Sequence, residues 1–465
     1  MRALILAAGE GKRLYPLTKE KPKALVKVAG VPLVERVLYA LKKVGIDEAS
    51  IVVGCKGELI EKRIGESFSG MKIGYIKNHD WEKGNLYSLI AAKDRFRENF
   101  LLLMSDHLFD DRVISSLVAQ ELDSSIKLVI ERRKGSEDDT GVLERNGRIE
   151  KIGKGLKESN CIDTGLFLCS PKFFSYAERA KRENKGEVAD GVALAAEAED
   201  AEIFDMAKID AYVSGMRREV PPYWMDVDSK EEIKEAKRLL VENASKGASD
   251  FLAYYVHKPA ENKIVYYLSE TGITPNQVTI MVNVLAYFVT ALFFTGHLLL
   301  ASILIFLVGI LDGLDGKLSR VKNQTTKLGS MEHSFDFLYE CSWFIALALN
   351  LQIEGESLAL TSRLSISPLV FSVFIILFVA FYRNCYDQFR KTAGKSLDDW
   401  GRFERVFRRI AGRRNLYNLP ILAFVLLGMP IYSLVFVFFH SMLTMIVYGW
   451  RVCKHLREED RKAAR

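Results

Sequence analysis

At 465 residues the chain exceeds one ordinary domain, and two or three are expected. A charged share of 27% and a mean hydropathy of +0.04 look globular, but they average two unlike halves. Residues 1–250 are rich in Lys and Glu, whereas 277–311 contain no Asp, Glu, Lys or Arg. The net charge of +6 follows the apolar half and reads as membrane orientation, not nucleic-acid binding. Six scattered cysteines, at 55, 161, 169, 341, 385 and 453, lack paired metal spacing and read as reduced thiols. Met1 starts directly into a strand-like run, with no signal peptide evident, so the first domain is expected in the cytosol.

Residues 3–7 form a short apolar strand running into Ala8-Gly9-Glu10-Gly11-Lys12-Arg13-Leu14. Strand followed by a glycine-containing loop is how α/β folds present backbone N–H groups to phosphate. The run continues through Pro16-Leu17-Thr18, Lys21-Pro22-Lys23 and Gly30-Val31-Pro32-Leu33. Apolar strands at 50–53, 72–76, 100–104 and 127–131 alternate with amphipathic helices, which predicts a mainly parallel, Rossmann-like sheet flanked by helices. Asp106 ends the buried strand Leu101-Leu-Leu-Met-Ser-Asp106, where sheet enzymes display catalytic groups. Trp224-Met-Asp226-Val-Asp228 offers two more acids at strand spacing, read as lying on opposite faces. His79 and His107 read as local polar groups, and 231–243 as a solvated surface helix.

The stretch from Ala8 to Leu33 resembles the signature of the sugar-phosphate nucleotidyltransferases. The resemblance implies attack by a phosphate on the α-phosphorus of a nucleoside triphosphate, with cations and a divalent metal, Mg or Mn, stabilising the charge. It assigns Arg13 and Lys23 to the triphosphate and the acceptor phosphate, and Ala7, Ala8, Gly9 and Gly11 to the nucleotide. It pairs Asp106 with Asp228 as metal ligands, with Asp226 as the other choice. Asn78-His-Asp-Trp-Glu-Lys-Gly84-Asn85-Leu-Tyr-Ser88 resembles the nucleobase-side segment of the choline-phosphate and inositol-phosphate cytidylyltransferases. CTP is therefore the expected nucleotide, with Gly84 and Asn85 beside the base. Asp139-Thr-Gly141, Lys154 and Asp163-Thr-Gly165 are the expected acceptor wall.

Residues 244–250 read as a linker, and 251–269 mixes Phe251, Tyr254, Tyr255, Tyr266 and Tyr267 with Lys258 and Lys263, as suits a helix in the membrane interface. Thr274-Pro275-Asn276 is a helix-entry signal. The charge-free run 277–311 is too long for one span of roughly 20 residues, so a reversal is expected near Gly296-His297. Further apolar stretches at 337–351, 367–382, 419–427 and 431–448 bring the expectation to six membrane helices, the fifth short and flanked by Pro420 and Pro430. Arg and Lys crowd 383–414, 451–465 and the segment holding Arg320, Lys322 and Lys327, whereas the loops around Gly296, Ser357 and Gly428 carry only Arg363. By the positive-inside rule both termini and both sites face the cytoplasm of a multi-pass cell-membrane protein.

Asp312, Asp315, Glu332, Asp336 and Glu340 lie on two otherwise apolar segments. Acids at membrane depth are costly and mark a functional site with its own compensating charge, here a hard cation. Asp312 and Asp315 are three apart and the other three are successively four apart, so each set is expected on one helix face. The pattern resembles the CDP-alcohol phosphotransferase signature, with Ser319 for Ala, Glu332 for Asp and one residue fewer after Gly329. The resemblance implies a metal on Asp312, Asp315 and Glu332, shared by Asp336 as the base. It places Gly316, Ser319, Arg320 and Gly329 on CDP. Reading Asp336 and Glu340 as the third and fourth acids is the alternative register. Arg413 and Arg414, followed by Asn415, offer an acceptor-phosphate site or an orientation signal.

Over nearly its whole length the chain resembles the bifunctional inositol-1-phosphate cytidylyltransferases fused to di-myo-inositol phosphate phosphate synthases. The resemblance implies CTP, inositol-1-phosphate and CDP-inositol as substrates, and no nucleic acid. The expected organisation is a nucleotidyltransferase domain over 1–243, a linker over 244–250 and an interfacial helix over 251–276. An all-α membrane domain over 277–455 and a basic tail over 456–465 follow. A homodimer through the membrane helices is compatible with their remaining apolar faces. A lipid acceptor is the alternative, and a transporter with a nucleotide-sensing domain is the rival of another class. The acids sit at helix ends beside basic loops, against the transporter.

Overall fold

The computed structural model describes residues 1–213, 216, 218–247, 250–325, 331–361 and 364–463, the side chains of Glu332, His333, Leu360, Leu364 and Ala463 excepted. The chain divides into two compact units, 1–213 with 219–240, and 214–218 with 241–465.

In the first unit Arg2–Ala7 is buried from Ala3 onward, as a strand covered on both faces must be. It pairs in parallel with Glu48–Val53 on one side and Phe100–Met104 on the other, and Met71–Lys77 extends the parallel set. The whole sheet has ten strands and is mixed, which corrects the mainly parallel expectation. Cys161–Cys169 runs antiparallel between Phe100–Met104 and Ile126–Glu131. Thr140–Arg145 and Arg148–Lys154 form an antiparallel hairpin. The cause of the hairpin is local: Asn146 and Gly147 both adopt positive φ, 53° and 83°, the backbone of a two-residue hairpin turn.

Two apolar clusters cover the faces of the sheet, one around Ile5, Leu38 and Leu103, the other around Leu4, Phe100 and Phe167. Register then positions the site. Leu6 is opposite Met104, so the loop after Ala7 and Asp106 emerge at the same strand ends. Beyond them His107–Phe109 pairs with Trp224–Asp226, setting Asp226 opposite His107.

The second unit is helical. A π-helical turn, Ala253–His257, leads into Lys258–Leu268. Thr274 then caps Pro275–Phe294 through a capping box with Gln277. Gly296 (φ 81°) reverses the chain into Leu298–Asp312 and Leu314–Lys322. Glu332–Ile353, Pro368–Ala393, Arg414–Leu426 and Ile431–Ala463 follow.

Helices thus stand at each of the six expected segments, but only four of those described are long and apolar enough to cross a membrane. These are Pro275–Phe294, Leu298–Lys322, Pro368–Ala393 and Ile431–Lys462. Arg414–Leu426, at 13 residues, is shorter than the roughly 20 a span needs. Glu332–Ile353 is diluted by Asp336, Glu340, Asn350 and Gln352. Ile280, Met281 and Val284 are each more than 60% exposed on a helix with no charged residue, as a lipid-facing surface would be.

Candidate active sites

In the first unit the phosphate-type loop is shaped around a lysine. Gly11 has φ 73°, and a Cβ there would lie 2.7 Å from the Lys23 Cβ, so this position has both the backbone and the space of a glycine. Lys23 is buried among acids: its Nζ donates to Asp106 Oδ2 at 2.6 Å and to Asp228, and lies 3.7 Å from Asp226 Oδ1. Arg13 Nη1 donates to Asp228 Oδ2 at 2.7 Å. Asp226 and Asp228 therefore both reach Lys23, contrary to the opposite-face expectation, because residues two apart along an extended chain share one face.

The electrostatics follow from this packing. Burial works to lower the Lys23 pKa, yet the three carboxylates around it hold the ammonium above its ordinary value. Burial works the other way on Asp106, but the Lys23 charge holds it at about 2. Burial pushes Asp226 up to about 6.

Among the described residues one group of three or more His, Cys, Asp or Glu side chains brings its ligand atoms within 4.8 Å of one another: Asp106, His107 and Asp226. Asp226 Oδ1 is buried without a hydrogen-bond partner. Two carboxylates and one orphaned oxygen fit a divalent cation. Asp228, the ligand favoured from sequence, instead receives Arg13 and Lys23.

The remaining first-unit candidates divide. Ala7 and Ala8 are buried, and the Ala8 carbonyl accepts from the Cys55 N–H at 3.0 Å. Gly9 has open space where a Cβ would stand. Gly84, at φ 111°, packs so close to Gly186 that a Cβ would meet its carbonyl oxygen at 2.3 Å, and Asn85 Oδ1 accepts from Val188 N–H at 2.7 Å. Both residues thus tie the 84–85 segment to the 186–188 main chain. Asp139 accepts two bonds from Arg133, at 2.9 and 3.0 Å, and Lys154 stands opposite Thr140 on the hairpin. Asp163 accepts from Gly165 N–H at 2.7 Å, and burial raises its pKa to about 6. His107, read from sequence as a bystander, belongs to the site, and only the tertiary pairing with Asp226 reveals it.

In the second unit a cleft of about 1120 Å³ gathers Asp312, Asp315, Gly316, Ser319, Arg320, Asp336, Arg413 and Arg414. Gly329 and the Glu332 side chain lie outside the described residues. The Asp312 and Asp315 segments are separate helices broken at Gly313, where a Cβ would come 2.6 Å from a Glu261 carboxylate oxygen. Asp312 accepts from Arg414 and, at 2.8 Å, from the Tyr339 hydroxyl, which also lies 3.3 Å from Asp336 Oδ1. Asp315 Oδ2 accepts from Thr279 at 2.5 Å. Arg320 donates to the Ala244 carbonyl at 2.7 Å, Ser319 to the Gln324 carbonyl at 2.9 Å, and Arg413 to Asp250 at 3.3 Å.

Glu340 is buried against Arg383 and does not line the cleft. Among the described residues the cleft acids form no three-membered metal-type group, and Asp312 is paired with Arg414. Thr279, Tyr339 and Glu261 went unnoticed in the sequence because a Thr, a Tyr or a Glu on a helix carries no motif of its own.

Residues 2–243 match the Nucleotidyl transferase family and residues 272–445 the CDP-alcohol phosphatidyltransferase family. The chain is 31% identical over 441 residues, 92% of each chain, to the bifunctional IPC transferase and DIPP synthase of Aquifex aeolicus. It is 33% identical to the protein of the same name from Thermococcus kodakarensis, over 74% of this chain and 75% of that one. It is also similar to the solved inositol-1-phosphate CTP transferase of T. maritima, at 27% identity and a TM-score of 0.43 over 50% of this chain and 90% of that one. With a nucleotidyl transferase region followed by a CDP-alcohol phosphatidyltransferase region, and 92% of the Aquifex relative covered at 31% identity, the chain is an enzyme of the bifunctional IPC transferase and DIPP synthase family.

Proposed function

We propose that the two halves catalyse successive reactions. The first transfers CMP from CTP to inositol-1-phosphate, giving CDP-inositol and pyrophosphate. The second transfers the inositol-phosphate group of CDP-inositol to a second inositol-1-phosphate and releases CMP. The observation that carries this reading is the order of the two transferase families along a chain that aligns over 92% of its length with a bifunctional relative.

In the first reaction Lys23 and Arg13 exchange their carboxylate partners for phosphate oxygens as CTP and the acceptor enter. Ala7, Ala8, Gly9 and Gly11 shape the loop beneath the phosphates, and Gly84 and Asn85 shape the base side. Asp106 and Asp226 would hold the divalent cation, Mg or Mn, and Asp228 positions Arg13 and Lys23. A bound cation neutralises charge on the transferring phosphoryl group and on pyrophosphate. The acceptor phosphate oxygen forms the new bond to the α-phosphorus as the bond to pyrophosphate breaks.

In the second reaction Asp336 takes the proton of the acceptor hydroxyl as that oxygen attacks the β-phosphorus and CMP leaves with the bonding pair. Asp312, Asp315 and Glu332 would hold a metal there once Arg414 leaves Asp312. Gly316, Ser319, Arg320 and Gly329 contact CDP. Arg413 binds the acceptor phosphate, joined by Arg414 once Arg414 leaves Asp312. We further infer six crossings, an interfacial segment over 251–276 and both sites on the cytoplasmic side. The basic loops that flank the cleft support that orientation.

Phosphorus NMR of detergent-solubilised protein with magnesium, CTP and inositol-1-phosphate tests the reading. Pyrophosphate, CMP and a new phosphodiester are expected. Absence of CTP turnover contradicts the first step, and CDP-inositol that persists points to a different acceptor, such as a lipid hydroxyl.

A further inference from the structure

His107 is held with one nitrogen bare and facing two carboxylates. Its Nδ1 lies 2.8 Å from the Thr164 carbonyl oxygen. A carbonyl only accepts, so Nδ1 carries a proton, and the lone pair available to a metal is the one at Nε2. Nε2 lies 3.4 Å from Asp226 Oδ1 and 3.7 Å from Asp106 Oδ1. Both distances exceed a normal hydrogen bond, and the three ligand atoms lie within 4.8 Å of one another, the spacing of a cation's ligands. Lys23 does not fill that place on Asp106, since it takes the other oxygen, Oδ2.

The surroundings are built for the ring. A Cβ on Gly165, at φ 73°, would lie 2.5 Å from two imidazole atoms, so this glycine leaves the space the ring occupies. The strand pairing of His107 with Asp226 fixes the approach from the other side. An imidazole whose far nitrogen is tied to a carbonyl is the usual arrangement of a metal-ligating histidine.

We propose that His107 Nε2 is a direct ligand, with Asp106 and Asp226, to the divalent cation of the nucleotidyltransferase site. This rests on reading those two acids as cation ligands. A nitrogen donor binds Mn²⁺ better than Mg²⁺, which demands hard oxygens, so the site prefers manganese.

The test is pulsed electron paramagnetic resonance of Mn²⁺ bound to the full chain carrying His333→Gln, which removes the histidine beside Glu332. A ¹⁴N coupling from a directly bound imidazole is expected. It disappears on adding His107→Gln, and the preference for Mn²⁺ over Mg²⁺ then falls about tenfold. Should His107→Gln fail to fold, ¹⁵N-histidine in the His333→Gln chain replaces it, and the coupling must change to that of ¹⁵N. No nitrogen coupling with His107 present, or a coupling that survives its replacement, overturns the assignment. The spectrum is read without turnover, so failure of the CTP reaction leaves this result separately interpretable.

Discussion

At the scale of single residues, function depends on charges held against one another before any substrate arrives. Lys23 satisfies acids that would otherwise repel, and Arg13 shares one of them. Lys23→Met removes a preorganised cation from the transferring phosphate and should lower CTP turnover by about 10²–10³-fold, read as pyrophosphate release. Transfer from supplied CDP-inositol should stay unchanged.

Asp163 gives a stability prediction. Its folded pKa of about 6 lies above the unfolded value near 4, so the folded state holds the extra proton between those pH values. Relative stability is therefore greatest below pH about 4 and is lost as pH rises through 6. Asp163→Asn retains the acceptor for the Gly165 N–H. It should raise the unfolding midpoint at pH 8, by the equivalent of about 1–2 kcal/mol, and not at pH 4. Thermal melts at the two pH values check it. The residues legible in the sequence, Arg13, Lys23, Asp106 and the cleft acids, were those whose neighbours in the chain form a motif. His107 and Tyr339 were not, because their partners are set by strand pairing and helix packing.

At the scale of elements, local pattern located most strands and helices, and tertiary context decided their directions. The strands at 100–104 and 127–131 appear as Phe100–Met104 and Ile126–Glu131, yet Cys161–Cys169 runs antiparallel between them. Period alone carries no direction, so a mixed sheet looked parallel. Asn146-Gly147 was a readable hairpin signal that went unused.

In the helical unit the Asp312 and Asp315 pair was expected on one helix face; the helix is interrupted for one residue at Gly313, and both acids line the same cleft. Tyr339 then links Asp312 to Asp336 across two helices. Tyr339→Phe should slow phosphodiester formation about tenfold while leaving pyrophosphate release from CTP intact. Equal loss of both reactions would mean that the change acts on folding.

At the scale of the molecule, four described helices are long and apolar enough to cross a membrane, and the order of the crossings distinguishes four spans from six. With six, the loop at Ser357 and the segment at Ser396 lie on opposite sides, the first outside. If only the four helices long and apolar enough cross, the two positions exchange sides. Single cysteines at Ser357 and Ser396, probed in intact cells with an impermeant maleimide, should label at 357 alone. Labelling at 396 alone would establish four spans.

The central claim is that one chain makes a CDP-alcohol at one site and consumes it at another. Its most direct test follows ³¹P signals in the Asp336→Asn chain supplied with CTP, inositol-1-phosphate and magnesium. The account predicts normal pyrophosphate release, CDP-inositol that accumulates without CMP, and phosphodiester only after the Lys23→Met chain is added. Loss of pyrophosphate release together with phosphodiester, in a chain that folds normally, would contradict two independent sites.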